Sequence, residues 1–450
     1  MLTKEQNELV TRVGPGTPMG EMMRRYWVPA LFSWEIAEPD SPPVTIKLLG
    51  EELVAFRDTD GRAGVVGARC AHRGAQLFFG RNEECGLRCV YHGWKFDVDG
   101  RCVDMPSEPA ESNFKDKVRI LAYPTYEVAG MVFAYMGPPA KRPAPPLFEW
   151  TQVAPERRAM SKVWEQCNWL QALEGGIDNV HSTFLHGGRP PGMRYDDANP
   201  RNRGRNVSRA PHLEVVPTDY GYCYGAILDM GDEGTNHVRG YHWIMPWNQI
   251  RATADNSGHI WVPMDDENTM VYNWNVLFGD TPRRDGGSGR AATAVVEEGP
   301  DTPVWFRDSR RHVGSGNEFN VDVDVNDNFR SFRNRDNKYL IDRELQRTQT
   351  FTGITGLNTQ DRAVQESMGP VFDRSFEHLG TTDMAIVQAR RLLLQAVKTV
   401  QEGGDPPGLE PTYYRLRAYE TVLPKGVHWY EAMRGSLQVL EEEPQASPVA

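Results

Sequence analysis

The sequence predicts an α+β chain: an N-terminal β-rich domain followed by a larger C-terminal domain with an antiparallel sheet flanked by helices. Three observations carry this. Apolar residues alternate at Val44, Ile46 and Leu48 and continue in the short run Leu53–Phe56, as strands do. Pro138, Pro139, Pro143, Pro145 and Pro146 then interrupt all periodicity and mark a stiff linker. Beyond it, helical-type apolar sequence brackets a strand-rich stretch from Val207 to Phe278. The boundaries that follow are 1–40 for an N-terminal helical segment packing on the larger domain, 41–140 for the β-rich domain, 141–440 for the larger domain and 441–450 for a tail.

Length and charge narrow the functional classes. The chain has 450 residues, 39% of them hydrophobic, enough for two or three cores. No run approaches the ~20 apolar residues of a membrane span, and the opening Met1-Leu2-Thr3-Lys4-Glu5 carries no apolar signal region. A formal charge of −11 argues against a nucleic-acid footprint. The expectation is a cytoplasmic enzyme with neither nucleic acid nor a membrane as partner. Six cysteines are too few and too scattered for a disulfide framework.

Taken in order, the chain opens with a capping box at Thr3-Lys4-Glu5-Gln6, and Leu2, Gln6, Leu9, Val10 and Val13 keep helical spacing until Gly14-Pro15-Gly16. Thr17-Pro18 starts a second short helix with proline at its first position, and Arg24-Arg25-Tyr26-Trp27 reads as a packing corner. Strands follow from Val44, with Asp58-Thr59-Asp60-Gly61 as a turn. Arg101-Cys102-Val103, Val118–Tyr123 and Tyr126–Tyr135 complete the β-rich domain near Gly137.

Inside that domain lie Cys70-Ala71-His72 and Cys89-Val90-Tyr91-His92, separated by sixteen residues of Gly-rich, charged sequence. Folded tip to tip, they offer two thiolates and two imidazoles. That set suits a [2Fe–2S] centre in which two Cys hold one iron and two His the other. Zinc accepts the same donors, but zinc fingers usually pair Cys with Cys and His with His, and each half here is mixed. Unrelated core cysteines and surface histidines are the bland alternative. Arg73-Gly74 and Gly93-Trp94 speak against it, since glycine suits a backbone passing close to a cluster. Cys85 has no His at the right offset and is left out.

The larger domain opens with Val163–Leu173, helical in type, which leads into Glu174-Gly175-Gly176-Ile177-Asp178-Asn179-Val180-His181-Ser182-Thr183-Phe184-Leu185-His186. His181 and His186 are two imidazole donors; one carboxylate more would complete the facial triad of a non-haem Fe(II) oxygenase, with positions left open. Glu174, Asp178 and His181 fall on one face of a regular helix. His186 falls about 140° from His181, so a helix carrying both to one iron must break, tighten or bulge between them. On spacing alone, a metal-free helix stays open.

The runs Arg69-Cys70-Ala71-His72-Arg73-Gly74 and Cys89-Val90-Tyr91-His92-Gly93-Trp94-Lys95-Phe96-Asp97-Val98-Asp99-Gly100 resemble the Rieske domain of ring-hydroxylating and O-demethylating aromatic oxygenases. The order of that domain before Glu-x3-Asp-x2-His-x4-His is also the family's, so the resemblance spans nearly the whole chain. It implies that Cys70, His72, Cys89 and His92 hold the [2Fe–2S] cluster and that His181 and His186 hold a mononuclear Fe(2+). Asp178 would connect that iron to the cluster of a neighbouring subunit through the residue matching His92. Likeness to the phthalate 4,5-dioxygenase and aryl O-demethylase branch implies Asp361 as the third ligand, with Asp373 and Asp383 as competitors. The implied function is the terminal oxygenase component of a multicomponent system, in a homotrimer or trimer-based oligomer. Its electrons would come from NAD(P)H through a separate reductase, because no Gly-x-Gly-x-x-Gly unit is present. With O2 it would oxidise an aromatic carboxylate by ring hydroxylation or by O-demethylation of a methoxy-substituted acid. A Rieske electron carrier without oxygenase chemistry is the alternative.

Within the strand-rich stretch, Tyr220–Tyr224 and Met270–Val276 are the clearest strands, and the sheet is expected to carry one wall of a pocket. An acid substrate needs a cation there, and Arg205, Arg209, Arg239 and Arg251 are the candidates. His237, His242 and His259 lack ligand-like spacing and read as structural or surface residues. Residues 281–350 are polar and expected to form a lid or an interface arm. Within them Asp322–Asp327 lacks the Gly and Glu of a calcium loop and reads as a solvated turn. A helix begins at Gln360, and Met384–Val400 forms another, with Asp383 in its first turn and Gly403-Gly404 ending it. The tail after Leu440 is expected to be loosely held.

Overall fold

A computed structural model describes residues 1–109, 111–187, 198–231, 234–252, 256–276, 278, 323–410 and 415–438. Residues 281–322 of the expected arm, Asp322 included, and the tail beyond 438 lie outside them.

The N-terminus folds as its capping signals dictate. Thr3 Oγ1 accepts from the Gln6 amide at 3.1 Å and Gln6 Oε1 from the Thr3 amide at 3.0 Å, which makes Lys4–Thr11 helical. Thr17 caps Pro18–Met23, and both helices pack on the helix Met384–Gln401 of the larger domain. The segment is not helical throughout. Trp27–Phe32 is a fully buried strand, antiparallel to Met131–Tyr135, whose other neighbour is Thr125–Val128. Its unbroken apolar run suits a strand covered on both faces.

Two four-stranded sheets frame the Cys/His loops. One holds Val44–Leu48, Glu51–Arg57, Ala63–Gly67 and Ala122–Tyr123; the other holds Arg81–Glu83, Gly86–Arg88, Lys95–Phe96 and Cys102–Asp104. The expected strand Val118–Tyr123 is thus reduced to its last two residues, and Tyr126–Tyr135 is a hairpin turned at Ala129 and Gly130, both at positive φ. Val54, Phe56, Leu77, Leu87, Phe96, Cys70, Cys89 and Cys102 form a small core under the loops, separate from the main core.

The larger domain is built on a ten-stranded sheet. Its order is His212–Pro217, Gly221–Asp229, Thr235–Ile244, Asn248–Ala252, Asn256–Pro263, Thr269–Val276, Arg158–Glu165, Arg330–Ser331 and Val323–Asp324, with Tyr419–Pro424 paired to Thr235–Ile244. One sequence reading is corrected here. Val163–Glu165 ends a strand opposite Thr269–Val271, and the helix begins only at Trp169, where Asn168 Oδ1 accepts from the Leu170 amide at 3.1 Å. A short apolar run does not separate a buried strand from a buried helix. Pro200–Val207 is a helix capped by Asn199; its Arg- and Asn-rich sequence carries no apolar stripe to announce it. Residues 323–350, expected within a lid or interface arm, hold two short strands and the helix Arg343–Thr348.

The helix Trp169–Ile177 is the part of this architecture that positions the site. A Cβ on Gly176 would stand 2.0 Å from the Trp261 ring, and one on Gly175 2.1 Å from Gln365 Nε2. Only glycine lets this helix sit so close to both the sheet and the helix Leu357–Ser367. Glu174 locks it from the other side, accepting from Arg374 Nε at 2.9 Å and Arg390 Nε at 2.6 Å in a buried cluster. Leaving Arg374 without that carboxylate costs about 3–5 kcal/mol, whereas Arg390 keeps a second carboxylate in Glu377. Among the described residues no helix is long and apolar enough to cross a membrane.

Candidate active site and metal centres

The two Cys/His loops are closed by the same hydrogen bonds. Gly74 N–H donates to the Cys70 carbonyl at 2.9 Å and Gly93 N–H to the Cys89 carbonyl at 3.0 Å; Cys70 N–H donates to Ala75 at 2.9 Å and Cys89 N–H to Trp94 at 2.8 Å. Gly74 and Gly93 sit at φ +74° and +79°, which favours glycine at both turns. The repeat aims two buried thiols at each other: burial, with Cys89 alongside, pushes the Cys70 thiol up to about 11. His72 and His92 stand at the surface with ring centroids 4.4 Å apart, and His72 stacks on Trp94 at 4.5 Å. Trp94 is itself fixed by its Nε1 donating to Ser107 Oγ at 2.9 Å. Two inner sulfurs and two outer nitrogens, converging from like loops, fit a two-iron cluster with one wet and one dry end. Cys85 lies elsewhere, at the turn of the hairpin Arg81–Arg88, beside Asp58 and Asp60.

The second donor set is assembled from two helices. The helix Trp169–Ile177 stops at Asp178, whose carboxylate accepts from the Val180 amide at 2.8 Å and the His181 amide at 3.2 Å and so turns the chain into the short helix His181–Phe184. Glu174, Asp178 and His181 therefore do not share one helix, because the break falls before His181. His186 lies past the end of the short helix, as two histidines on one metal demand. From the helix Leu357–Ser367 comes Asp361. His181 Nε2 and His186 Nε2 are 3.2 Å apart, and Asp361 Oδ1 is 3.1 Å from His186 Nε2 and 3.6 Å from His181 Nε2. Burial opposes ionisation of Asp361, but the two imidazoles hold its carboxyl down at about 2. Two nitrogens and one carboxylate oxygen, all facing one point, fit a metal with open positions. The competitors are spent elsewhere: Asp373 accepts from the Ser375 amide at 2.9 Å, and Asp383 accepts from the Gly380 amide at the start of Met384–Gln401.

Behind the two imidazoles the support differs. His186 Nδ1 meets Gln360 Oε1 at 2.8 Å, and the Gln360 amide is itself fixed by donating from Nε2 to the Ile354 carbonyl at 2.7 Å. The carbonyl of Gln360 thus keeps the proton on His186 Nδ1 and leaves Nε2 free to ligate. His181 Nδ1 lies 3.4 Å from Asp178 Oδ2 without an aligned hydrogen bond. Asp178 is partly exposed, with about a quarter of its side chain open.

The sheet supplies a basic wall. Arg251 donates to His259 Nε2 and lies within electrostatic reach of Asp361 and His181. Arg239 is buried, donates to the Ala252 carbonyl at 2.6 Å and comes within 3.3 Å of Glu420. Arg201, from the unanticipated helix, is pushed well below its usual range by burial and by Arg239 and Arg205. Of the other expected arginines, Arg205 donates to the Ser182 carbonyl at 2.9 Å and so pins the ligand helix, while Arg209 is exposed over the Phe184 ring. His237 pairs with Glu420 at 3.6 Å and His242 is buried between Tyr220 and Arg417. His259, read from sequence as structural or surface rather than a ligand, stands outside the donor set and bonds Asn273 and Arg251. Gln360, Arg201, His259 and Glu420 were not legible as site residues; only the place of Gln360 next to Asp361 offered a signal.

A Cys2His2 loop pair on one core and a two-histidine, one-carboxylate set in another define a Rieske-type oxygenase with two iron centres. Known proteins agree. Residues 26–126 match the family described as Rieske [2Fe-2S] domain and residues 134–447 the one described as LigXa C-terminal domain like. A 3-chlorobenzoate-3,4-dioxygenase oxygenase subunit of Comamonas testosteroni is 38% identical over 98% of this chain and 99% of its own. A phthalate 4,5-dioxygenase oxygenase subunit of Pseudomonas putida is 38% identical over 95% and 94%. A 5,5'-dehydrodivanillate O-demethylase oxygenase subunit of Sphingobium sp. is 32% identical over 91% and 84%. Dicamba monooxygenase bound to dicamba shares the fold, with a TM-score of 0.55 at 16% identity over 84% of this chain and 98% of that one.

The chain belongs to the Rieske non-haem iron oxygenases. It is an oxygenase component of a multicomponent system, an oxidoreductase that works with a [2Fe–2S] cluster, a mononuclear iron, O2 and electrons delivered by a separate reductase. The electron-carrier alternative falls.

Proposed function

We propose that this oxygenase hydroxylates the ring of an aromatic carboxylate. The observation that carries the reading is the charge of the wall: Arg201 and Arg239 share Glu420 as counter-charge, Arg251 has Asp361, and burial together with repulsion from Arg239 depresses Arg201 and Arg251. An anionic substrate relieves that repulsion, and a guanidinium is the side chain best shaped to take a carboxylate. The two 38%-identical relatives, named for 3-chlorobenzoate and phthalate, support the same class.

In this reading Cys70, Cys89, His72 and His92 hold the cluster, and His181, His186 and Asp361 hold the mononuclear iron. When bound, the cluster supplies electrons singly and the iron supplies the place where O2 is reduced beside the substrate. Asp361 balances the metal's charge, Gln360 keeps His186 Nε2 turned to it, and Arg251 anchors the acid. Asp178 is a positioning residue, set between His181 and the protein surface. Its partial exposure, and the separate core under the cluster loops, support a cluster delivered by a neighbouring copy in a cytoplasmic homotrimer or trimer-based assembly.

O-demethylation of a methoxy-substituted aromatic acid is the second reading, favoured by the 32%-identical O-demethylase subunit. Turnover of aromatic acids with a reductase and NADH separates the two: a ring-hydroxylated product without formaldehyde is expected, whereas formaldehyde in step with O2 uptake establishes demethylation. Oxidation of neutral aromatics in preference to their acids overturns both.

A further inference from the structure

Four polar side chains run in a line across the sheet toward the site. Ser161 lies directly opposite Asn273 on the neighbouring strand, and Asn273 directly opposite His259 on the next. On the strand beyond, His259 faces Gln249, and Arg251 follows two residues on, in the diagonal position of the same face. The register thus places each within reach of the next.

The hydrogen bonds have one direction. Asn273 Nδ2 donates to Ser161 Oγ at 3.2 Å, which turns its carbonyl oxygen to His259 Nδ1 at 2.6 Å. A carbonyl only accepts, so the His259 proton sits on Nδ1. Burial and the neighbouring Arg251 keep the ring neutral, its pKa down at about 3. Nε2 is therefore a lone pair, and it accepts from Arg251 Nη1. Among the described residues the other guanidinium donors of Arg251 have no hydrogen-bond partner. One corner of the fork is held by His259.

We infer that Ser161, Asn273 and His259 form a positioning chain that fixes the guanidinium of Arg251 in the orientation that receives the substrate carboxylate, which makes His259 a specificity-determining residue. The inference rests on the reading of Arg251 as the acid anchor. Without the chain, Arg251 must either spend binding energy on ordering or turn aside to Asp361.

Binding tests it apart from turnover. The holo-oxygenase is titrated calorimetrically without O2 with benzoate, phthalate and 3-chlorobenzoate, and with the neutral amide of each. In His259→Phe the Kd of the tightest acid is expected to rise about tenfold, the loss of one hydrogen bond to a charged group, while the amide Kd and the iron content stay put. His259→Gln, whose side-chain carbonyl can still accept from Arg251, should restore most of the acid affinity. Asn273→Leu, which frees the His259 tautomer, should weaken the acid in the same direction and serves if His259→Phe does not fold. Equal loss of acid and amide, or unchanged acid binding in both His259→Phe and Asn273→Leu, overturns the chain while Arg251 survives as the anchor. If no acid binds the wild type, or Arg251→Gln does not weaken the acid, the anchor reading fails and the chain falls with it.

Discussion

The cluster loops and the catalytic pocket are both metal-binding candidates, yet they are built in opposite ways. Cys70 to Gly93 is one local unit in which two loops repeat the same pair of backbone hydrogen bonds, and every donor lies within that span. The pocket gathers His181 and His186 from one helix break and Asp361 from a helix some 175 residues away, then borrows its wall from four strands. A site made of local turns tolerates its surroundings. A site made of distant pieces depends on whatever holds those pieces: Gly176 against Trp261, Glu174 against Arg374 and Arg390, Gln360 behind His186.

The sharpest way to break this comparison is to empty one centre and read the other. Cys89→Ser is expected to abolish the visible absorption of the cluster and all reductase-driven turnover, yet to leave about one mononuclear iron per chain. Asp361→Ala should do the reverse. If either substitution removes both metals, the two regions are not independent units, and the separate core under the loops does not insulate them.

Next in size is the connection between the centres. Asp178→Asn keeps one oxygen to accept from the Val180 amide, gives up the acceptor of the His181 amide and removes the charge beside His181 Nδ1. Both metals should remain at full occupancy and the cluster should still accept electrons, while turnover falls about 100-fold, the upper range for a residue behind a metal ligand. Rapid reduction of the cluster followed by normal product formation in a single turnover would remove Asp178 from the path.

The contrast also governs what the sequence could tell. The cluster loops were legible because their chemistry is contiguous: thiol, imidazole and glycine occur at fixed offsets. His181 and His186 were legible for the same reason, and so was the helix end between them. The break at Asp178 was not, because it depends on a side chain folding back on its own backbone, and regular spacing hides that. Asp361 came only through resemblance, since nothing local distinguishes it from Asp373. The helix Pro200–Val207 and its Arg201 were missed because a polar helix pinned by ion and hydrogen bonds leaves no apolar period. Val163–Glu165 was misread because its burial comes from strands more than a hundred residues away.

A smaller effect tests the support behind His186. Gln360→Ala removes the acceptor at 2.8 Å from Nδ1 without touching a ligand atom. Mononuclear iron affinity should fall about tenfold, measured by chelator competition, with the cluster spectrum unchanged. Gln360→Glu should retain most of that affinity because a carboxylate oxygen still accepts the proton. Equal loss in both variants would mean that the side chain only packs the helix Leu357–Ser367.

The smallest effect lies inside the dispersed half, between two histidines that look alike in the sequence. His259 faces the site, whereas His242 is sealed in the core, taking a hydrogen bond from Tyr220 Oη at Nδ1 (2.7 Å) and giving one from Nε2 to the Arg417 carbonyl (3.1 Å). Burial disfavours the charged ring and pushes its pKa down to about 4 from the ordinary 6.5. The folded state therefore binds its proton later than the unfolded chain. His242 contributes fully above pH 6.5, and its contribution drains away as the pH falls toward 4, because only the unfolded chain gains a proton in that window. Between pH 7 and 5.5 the loss should be about 1 kcal/mol. His242→Gln, which can still accept from Tyr220 or donate to Arg417, should flatten that part of the stability profile in thermal melts at the two pH values. Parallel pH slopes in wild type and variant would mean that the ring takes up its proton in the folded state as readily as in the unfolded chain, contrary to its burial.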